Sequence, residues 1–460
     1  MQSQPDPFQF SDKQAAQELK KDPKYTRFLD WCIQQGMNLE RINYPSAYGP
    51  SGLLVGVGTN QQLKKGDWIL RTPCSTRTDY ETIRNSSGVG EIIKALDVNQ
   101  DYTLALFYMH QLLLGTESHL YHAISVSAPA DLPFQWTEEE IEFIQDTQAI
   151  GLIKRLRVQC LQEADEIYGK VMEHGCVDKF CPGEHTKENF VKQYFQAWSM
   201  TQSRLISFGF NLKYYSMLPM IDSMNHHTAK ETSIWQVVDS EGKILTQNST
   251  ANLSCYCIPG FEAVNGPQYL PPSEQVLETI ISEVPIGIVE DTTAYFVPPE
   301  GSFFQIVSAQ DLEEGEQIPC SYGDMSNRYH FVNYGFFLRN NKSDCFSIKL
   351  KISGKEKIIL LHKNNRLDKF LASCKQVFND AGLNTCNYSL VCQLAIELIK
   401  QQYLIDFGNS LDDAEEPIEE FESNRKRTAY EYRTEQRKLY QEHVDELQKL
   451  IVSKNNTLFN

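Results

Sequence analysis

The stretch "DYTLALFYMHQLLLG" (residues 101–115) repeats apolar positions at three- and four-residue intervals, the spacing of a helix packed on a core. It lies in a tract, residues 91–203, that reads as mainly helical. Within that tract "WTEEEIEFIQ" follows Pro133 and opens on Thr-x-x-Glu, the pattern of a capping box. Residues 187–204 continue in the same style. On either side the period shortens. "GLLVGVGT" and "DWILRTP" are β-rich runs with "KKGD" as a turn between them, preceded by a helix over residues 25–35 that stops at Gly36. Strand character returns in "YSMLPMIDSMNH" and "TSIWQVV", and "SFFQIVSAQDLEEGEQIPCSYG" predicts two strands joined by an acidic turn. Residues 240–299, rich in Pro, Ser and Asn, read as an irregular insertion whose own hairpin falls in "ETIISEVPIGIVEDTTAYFV". After Asn341 come a strand pair, "CFSIKLKIS" and "KIILLH", then helices. The last, "SNRKRTAYEYRTEQRKLYQEHVDELQKL", carries an interrupted apolar stripe and mixed charges. The order is β, helical insert, β, helical tail, an α+β class without internal repeats.

A chain of 460 residues exceeds one compact core, so two or three packed units are expected. Its 43 Lys and Arg against 60 Asp and Glu give a net charge of -17. That balance argues against nucleic acid held on a broad basic face and fits a solvated acidic surface or a basic protein partner. The N-terminus lacks a basic region followed by an apolar one, and no window approaches the run of about 20 apolar residues that spans a bilayer. The 12 cysteines are scattered through apolar patterns such as "LASCKQVF" and "SLVCQLAI", as buried reduced thiols are. A cytosolic or nuclear address follows as the expectation.

Several short motifs offer chemistry. "GVGT" (residues 56–59) hints at a dinucleotide loop, but the third glycine and the βαβ context are missing. Cys176, Cys181 and His185 could ligate zinc, yet the spacing is loose and no fourth ligand stands nearby, so a plain loop is the simpler reading. "IDSMNHH" places Asp-x-x-Asn-His directly after an apolar run; it is either a strand-ending turn or a constructed polar site. "CSYGDMSNRYHFVNYGFF" (residues 320–337) poses the same choice. Gly323 permits a sharp turn after Tyr322, and Ser326-Asn327 offers capping or turn groups.

Taken together and in order, these segments resemble the SET-domain methyltransferases, of the type named for Rubisco large-subunit lysine methyltransferase, which includes actin-histidine methyltransferases. The likeness runs through "FLDWCIQQGMNLERI", "SGLLVGVGTNQQLKKGDWILRTP", "SRLISF", "LPMIDSMNHH" and "GEQIPCSYGDMSNRYHFVNYGFFLRNN" to the tail helix. It implies a β-rich SET fold split by a helical insertion and followed by a mostly α-helical C-terminal substrate-binding domain. On this chain the parts fall at residues 1–90, 91–203, 204–341 (with the irregular insertion) and 342–460. The segment bearing Asn225 and His226 would be threaded beside the last strands in a pseudoknot. The implied cofactor is S-adenosylmethionine, held by Pro50, Ser51, Gly52, Arg204, Asp222, Asn225, His226, Gly335, Phe336 and Phe337. Tyr322 would be the catalytic residue, with Ile206 and Asp222 beside it on the substrate.

These residue types suit the task. Methyl transfer needs a neutral amine or imidazole held in line with the methyl group, so positioning matters most. Arg204 can meet the methionine carboxylate, Asn225 and His226 the adenine. A phenol is neutral at pH 7 yet polar, so Tyr322 can orient the nucleophile and, with nearby carbonyl oxygens, hold the polarised methyl. The loop Pro50-Ser51-Gly52-Leu53 departs from the family's Gly-x-Gly-Leu, and no Cys-x-Cys cluster follows "YGFF", so no metal is expected. The implied activity is lysine methylation of a non-histone protein by a monomer that grips its substrate with the SET groove and tail helices. A protein-histidine methyltransferase is the alternative. A non-catalytic SET-like binding protein is a third reading, and the presence of Tyr322, Asn225, His226 and Arg204 together argues against it.

Overall fold

The structure, a computed structural model, describes residues 9–49, 54–127, 131–183, 185–206, 216–226, 234–247, 297–318, 320, 322, 325–363, 367–383, 387–413 and 420–457. These divide into two compact units. The first draws on residues within 1–130, 159–255 and 290–323, the second on residues within 131–158 and 324–460.

The first unit is built around small antiparallel sheets. Strands β1 (Ile42–Tyr48) and β2 (Leu54–Thr59) pair with each other. Strands β3 (Trp68–Pro73), β4 (Ile234–Val238), β5 (Ile244–Gln247) and β6 (Phe303–Val307) form a second sheet in the order β3-β6-β4-β5. Ile306 of β6 pairs with Leu70 on one side and Trp235 on the other, and all three are buried in one apolar cluster. The helix Pro23–Gln34 adds Tyr25, Phe28 and Cys32, spaced on one helical face, to the same cluster. Its start is set by Asp22, whose carboxylate accepts the Lys24 N–H, and by Pro23 at the first turn.

In the second unit β7 (Cys345–Ile352) and β8 (Lys355–His362) form a hairpin. Helices Asp368–Asp380, Tyr388–Phe407 and Asn424–Thr457 supply most of the other buried side chains, among them Cys374, Ile399 and Tyr440. The expected capping box is present: Thr137 Oγ1 accepts the Glu140 N–H while the Glu140 carboxylate accepts the Thr137 N–H. Eight of the nine described cysteines are buried and none is in a disulfide. Among the described residues no helix is long and apolar enough to cross a membrane.

Two local expectations are corrected. The described part of "YSMLPMIDSMNH" is no strand; it makes isolated bridges from Ser216, Met217 and His226 and a 3-10 turn over Ile221–Ser223. Met217, Leu218, Met220, Ile221 and Met224 are all buried, so apolar character falls on every side of the chain and imitates a core strand. The second strand expected after the acidic turn is likewise only isolated bridges. Glu316 meets Phe10, Gln317 meets Gly58 and Cys320 meets His226, three separate partners that cannot extend into one ladder. Within "CSYGDMSNRYHFVNYGFF" a helix runs over Asn327–Tyr334, with Ser326 as its N-cap. The hairpin expected in residues 278–297 lies outside the described residues, except its last position.

Candidate functional site

The polar groups of "IDSMNH" and "CSY" meet in the first unit. His226 and Cys320 form a parallel bridge, and the Cys320 N–H donates to the Asn225 carbonyl at 3.1 Å. The Tyr322 N–H donates to His226 Nδ1 at 3.0 Å, and the Cys320 carbonyl oxygen lies 3.3 Å from the same nitrogen. The two rings lie nearly parallel, 5.3 Å apart at 22°. The Tyr322 hydroxyl donates to the Met224 carbonyl at 2.9 Å. Two segments distant in sequence thus hold a phenol in a fixed place, mainly through main-chain atoms.

Arg204 follows directly on the helix Lys187–Gln202. Its Nη1 donates to the Asp222 carbonyl at 3.0 Å and lies 3.8 Å from that residue's carboxylate. Its Nε–H is buried and meets no acceptor among the described residues. A buried donor without a partner is costly, which marks this atom out from the other polar groups of the site. The Asp222 side chain is 6% exposed; burial pushes its carboxyl up, and the Arg204 charge pulls it back. Asn225 Nδ2 donates to the Val55 carbonyl and to Gln317 Oε1. Ile206 exchanges both main-chain hydrogen bonds with Ser216, and its side chain packs against the apolar cluster of the unit, as Tyr322 does.

Gly335, Phe336 and Phe337 belong to the second unit. Gly335 closes the helix Asn327–Tyr334 in the left-handed region, φ 74°. Phe336 stacks on His330, with centroids 5.1 Å apart at 17°, and Phe337 meets Tyr432 edge-on at 6.2 Å. Pro50, Ser51, Gly52 and Gly323 lie outside the described residues. The two motifs weighed and set aside also have structural roles. "GVG" sits inside β2, antiparallel to β1, and not in a phosphate loop. Cys176 precedes a 3-10 turn (Val177–Lys179), Cys181 is buried, and His185 pairs with Asp178.

Sequence reasoning missed two participants: Gln317 and the Met224 carbonyl. Gln317 stands within "GEQIPCSYG", but its partner is 92 positions away, and only the three-dimensional meeting reveals it.

No family model matches the chain. Among curated proteins it is similar to the actin-histidine N-methyltransferase of Gallus gallus, 20% identical over 342 residues, which is 74% of this chain and 46% of that protein. The Homo sapiens protein of the same name is 19% identical over 342 residues, with the same coverage. The chain thus spans about half the length of the curated relatives it matches. Among solved structures it is similar to the SET domain of LSMT bound to lysine and AdoHcy, at a TM-score of 0.58 and 14% identity, covering 93% of this chain and 91% of that one. Rubisco LSMT bound to AdoMet gives a TM-score of 0.55 at 15% identity, covering 94% and 93%. The fold is therefore that of the Rubisco LSMT type of SET protein, and the α+β expectation is borne out.

Proposed function

We propose that this chain is an S-adenosylmethionine-dependent protein N-methyltransferase that modifies lysine on a protein other than a histone. One observation carries the reading: the Tyr322 hydroxyl is seated on the Met224 carbonyl while its ring and main chain lean on His226. A phenol and carbonyl oxygens gathered in one spot are what orienting a neutral amine and stabilising a polarised methyl require. The residues fit the cofactor, since the buried Arg204 Nε–H meets no acceptor among the described residues and can donate to a carboxylate, and Asn225 turns its oxygen away from its protein partners. When bound, S-adenosylmethionine supplies an electrophilic methyl group. Arg204, Asp222, Asn225 and His226 would hold it. Tyr322 would orient the accepting nitrogen, and Ile206 would wall the acceptor side chain. The names of the solved neighbours, one bound to lysine and another to monomethyllysine, support the lysine reading.

A second reading is protein-histidine methylation, favoured by the actin-histidine N-methyltransferases to which the sequence is similar. Incubating the chain with a proteome and radiolabelled cofactor, then mapping the labelled residue, separates the two. Tyr322→Phe is expected to lower methyl transfer by on the order of 10²–10³-fold while calorimetry shows cofactor binding nearly unchanged. Absence of S-adenosylmethionine binding by the wild-type chain would sink the enzymatic reading altogether.

A further inference from the structure

We infer that Gln317 and Gly56 are positioning residues that lock the side-chain amide of Asn225, so that it offers a ligand its oxygen alone. The amide nitrogen lies 3.2 Å from the Val55 carbonyl oxygen and 2.9 Å from Gln317 Oε1. A main-chain carbonyl can only accept, so the Val55 contact establishes which end of the amide is nitrogen. Both amide hydrogens are then engaged by the protein, and Oδ1 receives no hydrogen bond among the described residues. A ligand group meeting that oxygen must be a donor, an N–H or an O–H.

The seat itself is built from three segments. Gln317 is 4% exposed, and its own N–H donates to the Gln9 carbonyl at 2.8 Å, so its side chain springs from a fixed main chain. Gly56 lies within β2, opposite Ser46. A Cβ at this position would lie 2.2 Å from Asn225 Nδ2 and 3.1 Å from Gln317 Oε1. The strand must therefore be bare where the amide rests on it. This gives the first glycine of "GVGT" a reason: it admits a neighbouring side chain, not a phosphate. A loose asparagine rotates and presents either end; one pinned on both hydrogens presents an acceptor and needs no reordering when a ligand arrives.

The inference rests on the reading of the site as an S-adenosylmethionine pocket. That cofactor carries donors of both kinds: the adenine 6-amino group, the α-ammonium and the two ribose hydroxyls. The test titrates S-adenosylhomocysteine calorimetrically into the full chain and its variants, with thermal unfolding measured alongside. Gln317→Leu and Gly56→Ala are each expected to weaken binding about tenfold, the value of one net hydrogen bond. Gln317→Glu keeps an acceptor oxygen and is expected to bind close to the wild type. Repeating the series with S-inosylhomocysteine, which lacks the 6-amino group, identifies the donor. The difference between wild type and Gln317→Leu vanishes if the 6-amino group is read, and persists if the ammonium or a ribose hydroxyl is. A folded Gln317→Leu that binds as tightly as the wild type overturns the inference and leaves the enzymatic reading standing, as does a Gln317→Glu no better than Gln317→Leu. Failure of the wild type itself to bind overturns the reading beneath it.

Discussion

The two units hold buried polar groups with different balances of main-chain and side-chain partners. In the first, the side chains assigned chemistry lean on the main chain: Arg204 on the Asp222 carbonyl, Tyr322 on the Met224 carbonyl, Asn225 on the Val55 carbonyl. In the second, helices are joined side chain to side chain. Arg328 Nε donates to Asp146 at 3.1 Å, and the Tyr432 hydroxyl donates to the same carboxylate at 2.7 Å. Gln148 and Tyr440 both donate to Asp406, and Asn327 and Gln436 to Asp344. A main-chain partner survives every substitution, so a site built on it depends on the path of the chain. A side-chain partner can be deleted, and a buried network of such partners stakes stability on each member. Substitutions in the first set should therefore show in binding and transfer, those in the second in stability.

The largest effect tests that contrast directly. Arg328→Met leaves Asp146 buried without its cation and is expected to cost about 3–5 kcal/mol in urea unfolding. A loss below about 1 kcal/mol would mean that the network is not what holds the second unit. Next comes pH. Burial pushes the Asp344 carboxyl up to about 7, against the pull of the Asn327 and Cys345 N–H groups, Gln436 and the Arg328 charge. The unfolded carboxyl ionises near about 3.9. Folded protein thus holds the proton more tightly, so this group's contribution is full below pH 4, declines as pH rises to about 7, and is level above. Asp344→Asn should flatten that slope in unfolding series run from pH 4 to 8, whatever it does to mean stability.

Gly335→Ala is smaller. It forces an alanine to φ 74° and brings its Cβ within 2.9 Å of the Asp131 carbonyl oxygen. About 1–2 kcal/mol should be lost from the backbone alone, read as a lower denaturant midpoint. This sharpens the comparison with Gly56, where the φ is ordinary and the demand is for space, so Gly56→Ala should show in ligand binding more than in the midpoint. Smallest is Lys64→Ala. Its partner Asp311 is 2.8 Å away, but both side chains are more than half exposed and screened by solvent, so no resolvable shift of the denaturant midpoint is expected.

Local signals were readable wherever the cause was local. The Thr137–Glu140 box, the helix Gln100–Leu114 and the hairpin of β7 and β8 all follow from spacing within the segment itself. The site was readable as two polar motifs, Asp222 to His226 and Tyr322, because both stand against apolar surroundings. Their meeting was supplied by family resemblance, since no short-range rule joins His226 to Cys320. Gln317 stayed invisible for the same reason: a buried glutamine in "GEQIPC" reads as an ordinary turn residue until Asn225 is laid against it. The strand expected in "YSMLPMIDSMNH" failed because period-two reasoning needs one wet face, and Met217, Leu218, Met220 and Ile221 have none.

The bridge between His226 and Cys320 joins residues 94 positions apart. The entropy lost in closing such a span grows only with the logarithm of its length, so doubling the intervening chain adds about 0.6 kcal/mol. In closing entropy the contact is thus nearly indifferent to the length of chain between its halves. That span carries β4, β5 and β6 of the second sheet, so it is the connections between those strands that can change length at this small cost, while the tyrosine and histidine keep the same address relative to each other. The long separation lets the chemistry stay fixed while the connecting chain is free to vary in length.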